Sequence, residues 1–441
     1  LYDFLAHRAI DFYSNSEITL TRPAEYFELK EDFYFSDLKT FATKSIKSND
    51  TLSLHYNGIL ILQDLLQFRK TRITETAALI DAELKRLQYV YGFSVNPDKE
   101  TLYFNALNKL KETYKDDDHC SEILYYLASF YSAKAALYNP NNEDTKKYKN
   151  YKTEAHKLCE EIIKKYPKSE AADKALALKY QIETHSIAFN TEKVIIPSKK
   201  FPCLVNYQNI EKLHIKVVSI DREKYKDLAE KYYGGEWYDK MIKSSKEIYT
   251  LSKDIPKETD FNSHSTEILL DGLPAGFYVV IIANNDKFGY DKNMLAYQAV
   301  QVSNISYIKQ EEKDGSIGVY VVNRDTGEPM QGVDVIAYYD KYSYALRKYI
   351  QKIHGNYVSD KNGYFRIKSA RSVYWRSLNF EFKKAGDFLS TDSYIYLNFY
   401  EDYQYDDPKI IFYTDRAIYR PGQTVHFKGI VLNPKGDNWE I

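Results

Sequence analysis

The sequence predicts a chain that is helical in its first part and antiparallel β in the rest, and three observations carry that reading. Apolar residues up to about Thr191 recur at steps of three and four, the period of one helix face. From about Glu192 they recur at steps of two, the period of a strand with one buried face. Turn phrases rich in Gly, Pro, Asn and Asp then punctuate the β part at short intervals, as in stacked antiparallel sandwiches.

The helical elements follow in order. Ile73, Ala77, Ile80, Leu84, Leu87 and Tyr91 lie on one predicted stripe, and Leu124, Leu127, Tyr131, Ala135 and Tyr138 on another. Gly92, Asn96-Pro97, Asp116-Asp117-Asp118 and Asn139-Pro140 fall at the breaks. Ala155, Leu158, Ile162 and Tyr166 form a third stripe; Pro167-Lys168 then turns the chain, and Ser169 is placed to cap the next helix, which carries Ala172, Ala175, Leu176 and Lys179. Tyr166-Pro167-Lys168-Ser169-Glu170-Ala171-Ala172 resembles the inter-helix turn of tetratricopeptide-type repeats. The fold expected is therefore an N-terminal helical, tetratricopeptide-like region followed by antiparallel β-sandwiches.

In the β part, Leu213, Ile215 and Val217 alternate with neighbours on the other face. Lys224 to Lys246 reads as a partly helical insertion. Leu273-Pro274-Ala275-Gly276 launches Phe277 to Ala283, a strand apolar on both faces. Val319 to Val322 runs into the turn Asp325-Thr326-Gly327-Glu328-Pro329, after which Val333, Val335 and Ala337 alternate. Ser359 to Phe365 is a second turn-then-strand phrase in which Asn362-Gly363 supplies positive φ. These changes divide the chain into 1–191 (helical), 192–303 and 304–407 (two sandwiches) and 408–441 (the start of a third). The break at Asn190 to Pro197 is expected to separate two folding units.

Composition narrows the function. Lys+Arg is 61 and Asp+Glu 62, so no global field draws in nucleic acid, and no nucleic-acid partner is expected. No apolar run approaches the roughly 18 residues of a membrane helix. Cys120, Cys159 and Cys203 are odd in number and widely spaced; they form neither a disulfide framework nor a zinc pattern and are read as core thiols. Asp116-Asp117-Asp118-His119-Cys120 has metal-ligand residue types, but adjacent positions cannot converge on one ion, and the run is read as a helix start. No HExxH, GxSxG, P-loop or dinucleotide fingerprint occurs, so no catalytic residue, cofactor or metal is assigned. Tyr338 to Tyr344 and Tyr394 to Tyr405 are aromatic-rich, and their rings are expected to pack on the sandwiches rather than stand free. The first residue is Leu1, and the strand pattern at 425–432 has no evident partner after it. A piece of a longer protein is expected.

The most distinctive phrase is Ile411 to Val425. Pro421 presets φ and Gly422 supplies the positive φ of a type II turn, while Asp415 and Arg416 can satisfy each other or the strand edge. Thr414-Asp415-Arg416, Tyr419-Arg420-Pro421-Gly422-Gln423 and Phe427-Lys428-Gly429 resemble the signature of the macroglobulin-type sandwich of alpha-2-macroglobulin family proteins. Upstream, Leu273 to Val280, Thr326 to Pro329 and Asp360 to Phe365 are similar to the preceding β-domains of large bacterial members. The tyrosine content and helical extension resemble Bacteroidetes versions.

The resemblance implies a non-catalytic scaffold of an endopeptidase inhibitor in the periplasm or cell envelope, whose partners are target proteases. In the family a bait segment is cleaved, the protein closes around the protease, and an internal thioester bonds it. It further implies a protein partner for the helical region and a membrane tether through an N-terminal lipid anchor outside this sequence. The thioester wording Cys-x-Glu-Gln is absent: Cys159 is followed by Glu160, Glu161 and Ile162, Cys120 by Ser121, Glu122 and Ile123, and Cys203 by Leu204, Val205 and Asn206. The alternative reading is a surface module that binds peptide or glycan.

Overall fold

The computed structural model describes the chain except residues 16–22, 24, 73–74, 291–293, 313–314, 346, 369–375, 392–394, 398–407, 416–418, 420–421, 436–437 and 441. Eight α-helices come first among the described residues: α1 Tyr2–Tyr13, α2 Leu38–Thr43, α3 Leu54–Lys70, α4 Thr76–Phe93, α5 Lys99–Thr113, α6 Cys120–Ala135, α7 Tyr151–Lys165 and α8 Glu170–Glu183. The helical expectation up to Thr191 runs too far. The last of these helices stops at Glu183, and Ser186–Thr191 is already a strand, paired antiparallel along Phe201–Gln208.

Helix α4 also departs from the stripe. Ile80, Leu84 and Leu87 are buried as expected, but Ala77 is exposed, and Leu79, Ala82, Glu83, Arg86, Tyr89 and Val90 are buried too. The helix is central to its core and so is covered nearly all round. Its two buried charges pair there: Arg86 Nε donates to Glu83 Oε2 at 2.7 Å and Nη1 to the Tyr34 carbonyl at 2.8 Å. The guanidinium also lies 4.7 Å from the centre of the Phe41 ring. Of the second stripe, Leu124, Leu127 and Ala135 are buried, while Tyr138 lies beyond the end of α6. The α7–α8 pair forms as read. Ser169 Oγ accepts the Ala172 amide at 3.1 Å, and Ala172 and Ala175 pack with Cys159 and Ile162. Ile73 lies outside the described residues.

Two sandwiches follow. The first uses β1 Ser186–Thr191, β2 Val194–Ile195, β3 Phe201–Gln208, β4 Lys212–Ser219, β5 Lys246–Asp254, β6 His264–Leu270, β7 Gly276–Ala283 and β8 Leu295–Val302. Sheet β1-β3-β6 faces sheet β2-β8-β7-β4-β5. Cys203 and Val205 meet Ile215, Val217, Val280 and Val300 between them. The insertion forms two helices, α9 Arg222–Lys231 and α10 Gly234–Lys243. They bury Leu228, Trp237, Tyr238 and Met241 against Val279, Ile281 and Ala283. That cover explains why β7 is apolar on both faces: one faces the sandwich and the other the helical pair.

The second sandwich uses β9 Ile305–Glu311, β10 Ile317–Asn323, β11 Asp334–Ser343, β12 Lys348–Val358, β13 Tyr364–Ile367, β14 Arg376–Lys384, β15 Asp387–Ser390 and β16 Ile395–Leu397. Ile305, Val319 and Val321 pack against Val335, Ala337, Phe380 and Phe382. The last sheet is β17 Lys409–Thr414, β18 Phe427–Lys435 and β19 Asn438–Glu440. The expectation that no partner strand follows the 425–432 pattern is corrected: β18 runs on to Lys435, and β19 pairs with it at Asn433, Pro434 and Lys435.

The aromatic expectation divides. Tyr338 and Tyr339 are half-buried, but Tyr342, Tyr344 and Tyr349 are exposed near the turn of the β11–β12 hairpin, with Tyr344 at 87%. Of Tyr394 to Tyr405, only 395–397 lies among the described residues. No helix of the described residues is long and apolar enough to cross a membrane.

Candidate functional site

The distinctive phrase spans the connection between β17 and β18. Thr414 ends β17, opposite Phe427. Asp415 closes the ladder: its amide donates to the His426 carbonyl at 3.0 Å, and its carboxylate accepts the His426 amide at 3.1 Å. The Tyr419 hydroxyl donates to the same carboxylate oxygen. That hydroxyl, with the His426 amide, holds the Asp415 carboxyl below the usual carboxylate range. Gly422 has φ +84°, the value a type II turn demands at its third position. Gln423 is exposed on the way into β18. Arg416, Arg420 and Pro421 lie outside the described residues, and with them the expected Asp415–Arg416 pair; Asp415 is met by Tyr419 and His426.

This arrangement positions backbone and offers hydrogen bonds. An added Cβ at Gly422 meets no atom of the described residues within 4 Å, so the backbone conformation sets the expected cost. Gly422→Ala is expected to destabilise the hairpin by about 1 kcal/mol, and Gly422→Val by more. Hydrogen exchange of the β18 amides reads this directly; an unchanged Gly422→Ala would remove the positive-φ account.

The three cysteines are buried. Burial pushes the Cys159 thiol up to about 11 and the Cys203 thiol up to about 12, and raises Cys120 as well. Cys159 packs among Ile162, Ala172 and Ala175, and Cys203 faces the first sandwich core. A reactive thiol needs the opposite environment, exposed and electropositive. The acidic run before α6 behaves as a turn rather than as the cap itself. Asp117 Oδ1 accepts the His119 amide at 2.8 Å, while the cap position, His119, makes no side-chain cap bond.

A polar seam between the two sandwiches had no signal in the sequence. Gln301 Nε2 donates to the Ser390 carbonyl at 2.8 Å, and the Ser390 amide donates to Gln301 Oε1 at 2.9 Å. Arg222, at the start of α9, donates to Ser390 Oγ and to Glu381 Oε1, and the Tyr338 hydroxyl donates to Glu381 Oε2. A cavity of about 240 Å³ opens beside Arg222, Tyr338, Glu381 and Ser390. These residues are far apart in the chain and follow no motif.

No protein-family model matches this chain, and no curated protein matches it. Among solved structures, it is similar to the native conformation of Escherichia coli alpha-2-macroglobulin, with 16% identity over 56% of this chain and 15% of that one, at a TM-score of 0.28. It is similar to red sea bream transglutaminase, with 9% identity over 57% of this chain and 34% of that one, at a TM-score of 0.25. It is also similar to a Salmonella alpha-2-macroglobulin, with 14% identity over 57% and 19%, at a TM-score of 0.21. The chain spans 15–34% of the length of these proteins. Identities and superpositions this low assign no activity.

Proposed function

We propose that this chain is a scaffold portion of an alpha-2-macroglobulin-like protease inhibitor of the bacterial envelope, and that it is not itself catalytic. The observation that carries the reading is the β17–β18 connection. The family wording Thr414-Asp415, Tyr419, Gly422-Gln423 and Phe427-Lys428-Gly429 coincides with a working structural device, Asp415 closing the ladder and Gly422 turning it. The sheet it builds exposes Phe412, Tyr413 and Phe427, apolar side chains of the kind that one β layer lays against another. In this reading 1–191 is a helical extension that binds a partner or positions the shell, 192–303 and 304–407 are shell sandwiches, and 408–441 begins another. Protease capture then belongs to segments other than these residues.

The test compares two samples. The 441-residue chain, mixed with a panel of serine proteases, is expected to give no adduct resistant to sodium dodecyl sulfate and no loss of protease activity. The longer protein that contains it is expected to be cut once and then to shield the protease from protein substrates. Inhibition by the 441-residue chain alone, or none by the longer protein, overturns the proposal.

The second reading, a surface module for peptide or glycan, is favoured by the exposed Tyr342, Tyr344 and Tyr349; the Tyr342 ring lies 5.2 Å from that of Tyr344 and 5.3 Å from that of Tyr349. Glycan-array binding abolished by Tyr344→Ala and Tyr349→Ala together would select it.

A further inference from the structure

The segment between β5 and β6 brings three metal-ligand side chains together. Glu258, Asp260 and His264 each offer a ligand atom, and these atoms lie within 4.8 Å of one another. Asp260 is only 7% exposed. Its Oδ1 accepts the Asn262 amide at 2.9 Å and lies 2.8 Å from His264 Nε2. Its Oδ2 is also buried and has no hydrogen-bond partner among the described residues. A carboxylate oxygen withdrawn from water with no donor is costly unless a cation meets it. Lys152 comes near from α7, but its Nζ donates to the Phe261 carbonyl at 2.9 Å.

The surroundings hold the segment in place. Phe261 has φ +57°, and its ring stacks on His156 of α7 at 4.6 Å between centroids. Asn262 Nδ2 donates to the Lys149 carbonyl at 2.8 Å. His264 is the first residue of β6, paired with Tyr207 of β3. Two of the three donors therefore stand on fixed backbone, while Glu258 is exposed and free to swing.

We propose that Glu258, Asp260 and His264 form a zinc site. One imidazole nitrogen and two carboxylate oxygens suit Zn²⁺, with a fourth position left to water; Ca²⁺ and Mg²⁺ take oxygen sets. Three atoms no more than 4.8 Å apart share a centre within about 2.8 Å of each. Reaching the roughly 2.0–2.2 Å of zinc ligation takes a shift of under about 1 Å. Zinc replaces the proton on His264 Nε2, and that proton leaves to solvent. Because α7 rests on the same segment, zinc stiffens the seam between the helical part and the first sandwich. The site is independent of the protease-inhibitor reading, and either stands if the other fails.

The metal-free 441-residue chain is titrated with Zn²⁺ by calorimetry, with Ca²⁺ as the comparison. Zinc is expected to saturate at one equivalent per chain, with Ca²⁺ weaker. Glu258→Gln is the main variant, because an exposed side chain can be replaced without unfolding the segment. It is expected to weaken zinc about tenfold or more, and His264→Ala to abolish the site. Zinc is also expected to slow hydrogen exchange in residues 255–263 and in α7, and to do so less in Glu258→Gln. No saturable heat, zinc binding unchanged in Glu258→Gln, tighter Ca²⁺ than Zn²⁺, or exchange in α7 that ignores zinc would each overturn the proposal.

Discussion

Gly363→Ala is expected to cost the second sandwich on the order of 3 kcal/mol, well above an ordinary glycine replacement. Gly363 has φ +72°, and a Cβ placed there would lie 2.3 Å from the Val321 carbonyl oxygen and 3.2 Å from the Met330 amide nitrogen. The obstacle is backbone of β10, which cannot swing aside as a side chain does. The turn is tied down as well. The Gly363 carbonyl accepts the Val321 amide at 2.7 Å, and Asp360 Oδ1 accepts the Asn362 and Tyr364 amides at 2.8 Å each. Gly386 provides the comparison, with φ +86° and nothing within 4 Å of an added Cβ. Gly386→Ala should cost only about 1 kcal/mol. Urea unfolding of the two variants separates steric from backbone effects. Equal midpoints would mean that the 359–365 turn moves away from β10 at little cost.

Glu83→Ala is expected to destabilise the helical core by about 3–5 kcal/mol. Among the described residues, it leaves the Arg86 guanidinium, 1% exposed, with the Tyr34 carbonyl and the Phe41 ring. The cost comes from the unpaired charge rather than from the lost contact. Glu83→Leu combined with Arg86→Met should therefore recover most of the loss, since a hydrophobic pair needs no desolvation. Thermal unfolding followed at helical wavelengths compares the single and double variants. A single variant costing under about 1 kcal/mol would show that water reaches Arg86.

Periodicity carried most of the architecture. Ala155, Leu158, Ile162 and Tyr166 gave α7, with Ser169 as the cap of α8. The alternation of Leu213, Ile215 and Val217 gave β4. These signals are local because a single element buries a single face, and the side chains on it record that face. The signal blurred where burial is not one-sided. Helix α4 is covered nearly all round, so its stripe understated the core and hid the Glu83–Arg86 pair. Ser186–Thr191 is short and follows α8 after two residues, so the alternation of Ile187, Phe189 and Thr191 covers too few positions to mark where the helices end.

The sequence by itself determined the order of helix and strand, the turns at Pro167, Asn362-Gly363 and Gly422, the burial of the three thiols, and the family wording around Asp415. Only the tertiary structure decided which distant groups meet. Gln301 and the Ser390 backbone join the two sandwiches across 89 positions, and Lys152 reaches the Phe261 carbonyl across 109. Asp260 was buried beside His264 by the docking of α7 on the 255–263 segment. Chain order encodes which face of an element avoids water, because that depends on a few neighbouring residues. It does not encode which polar groups close a seam, because those pairs exist only after separate cores have formed and packed together.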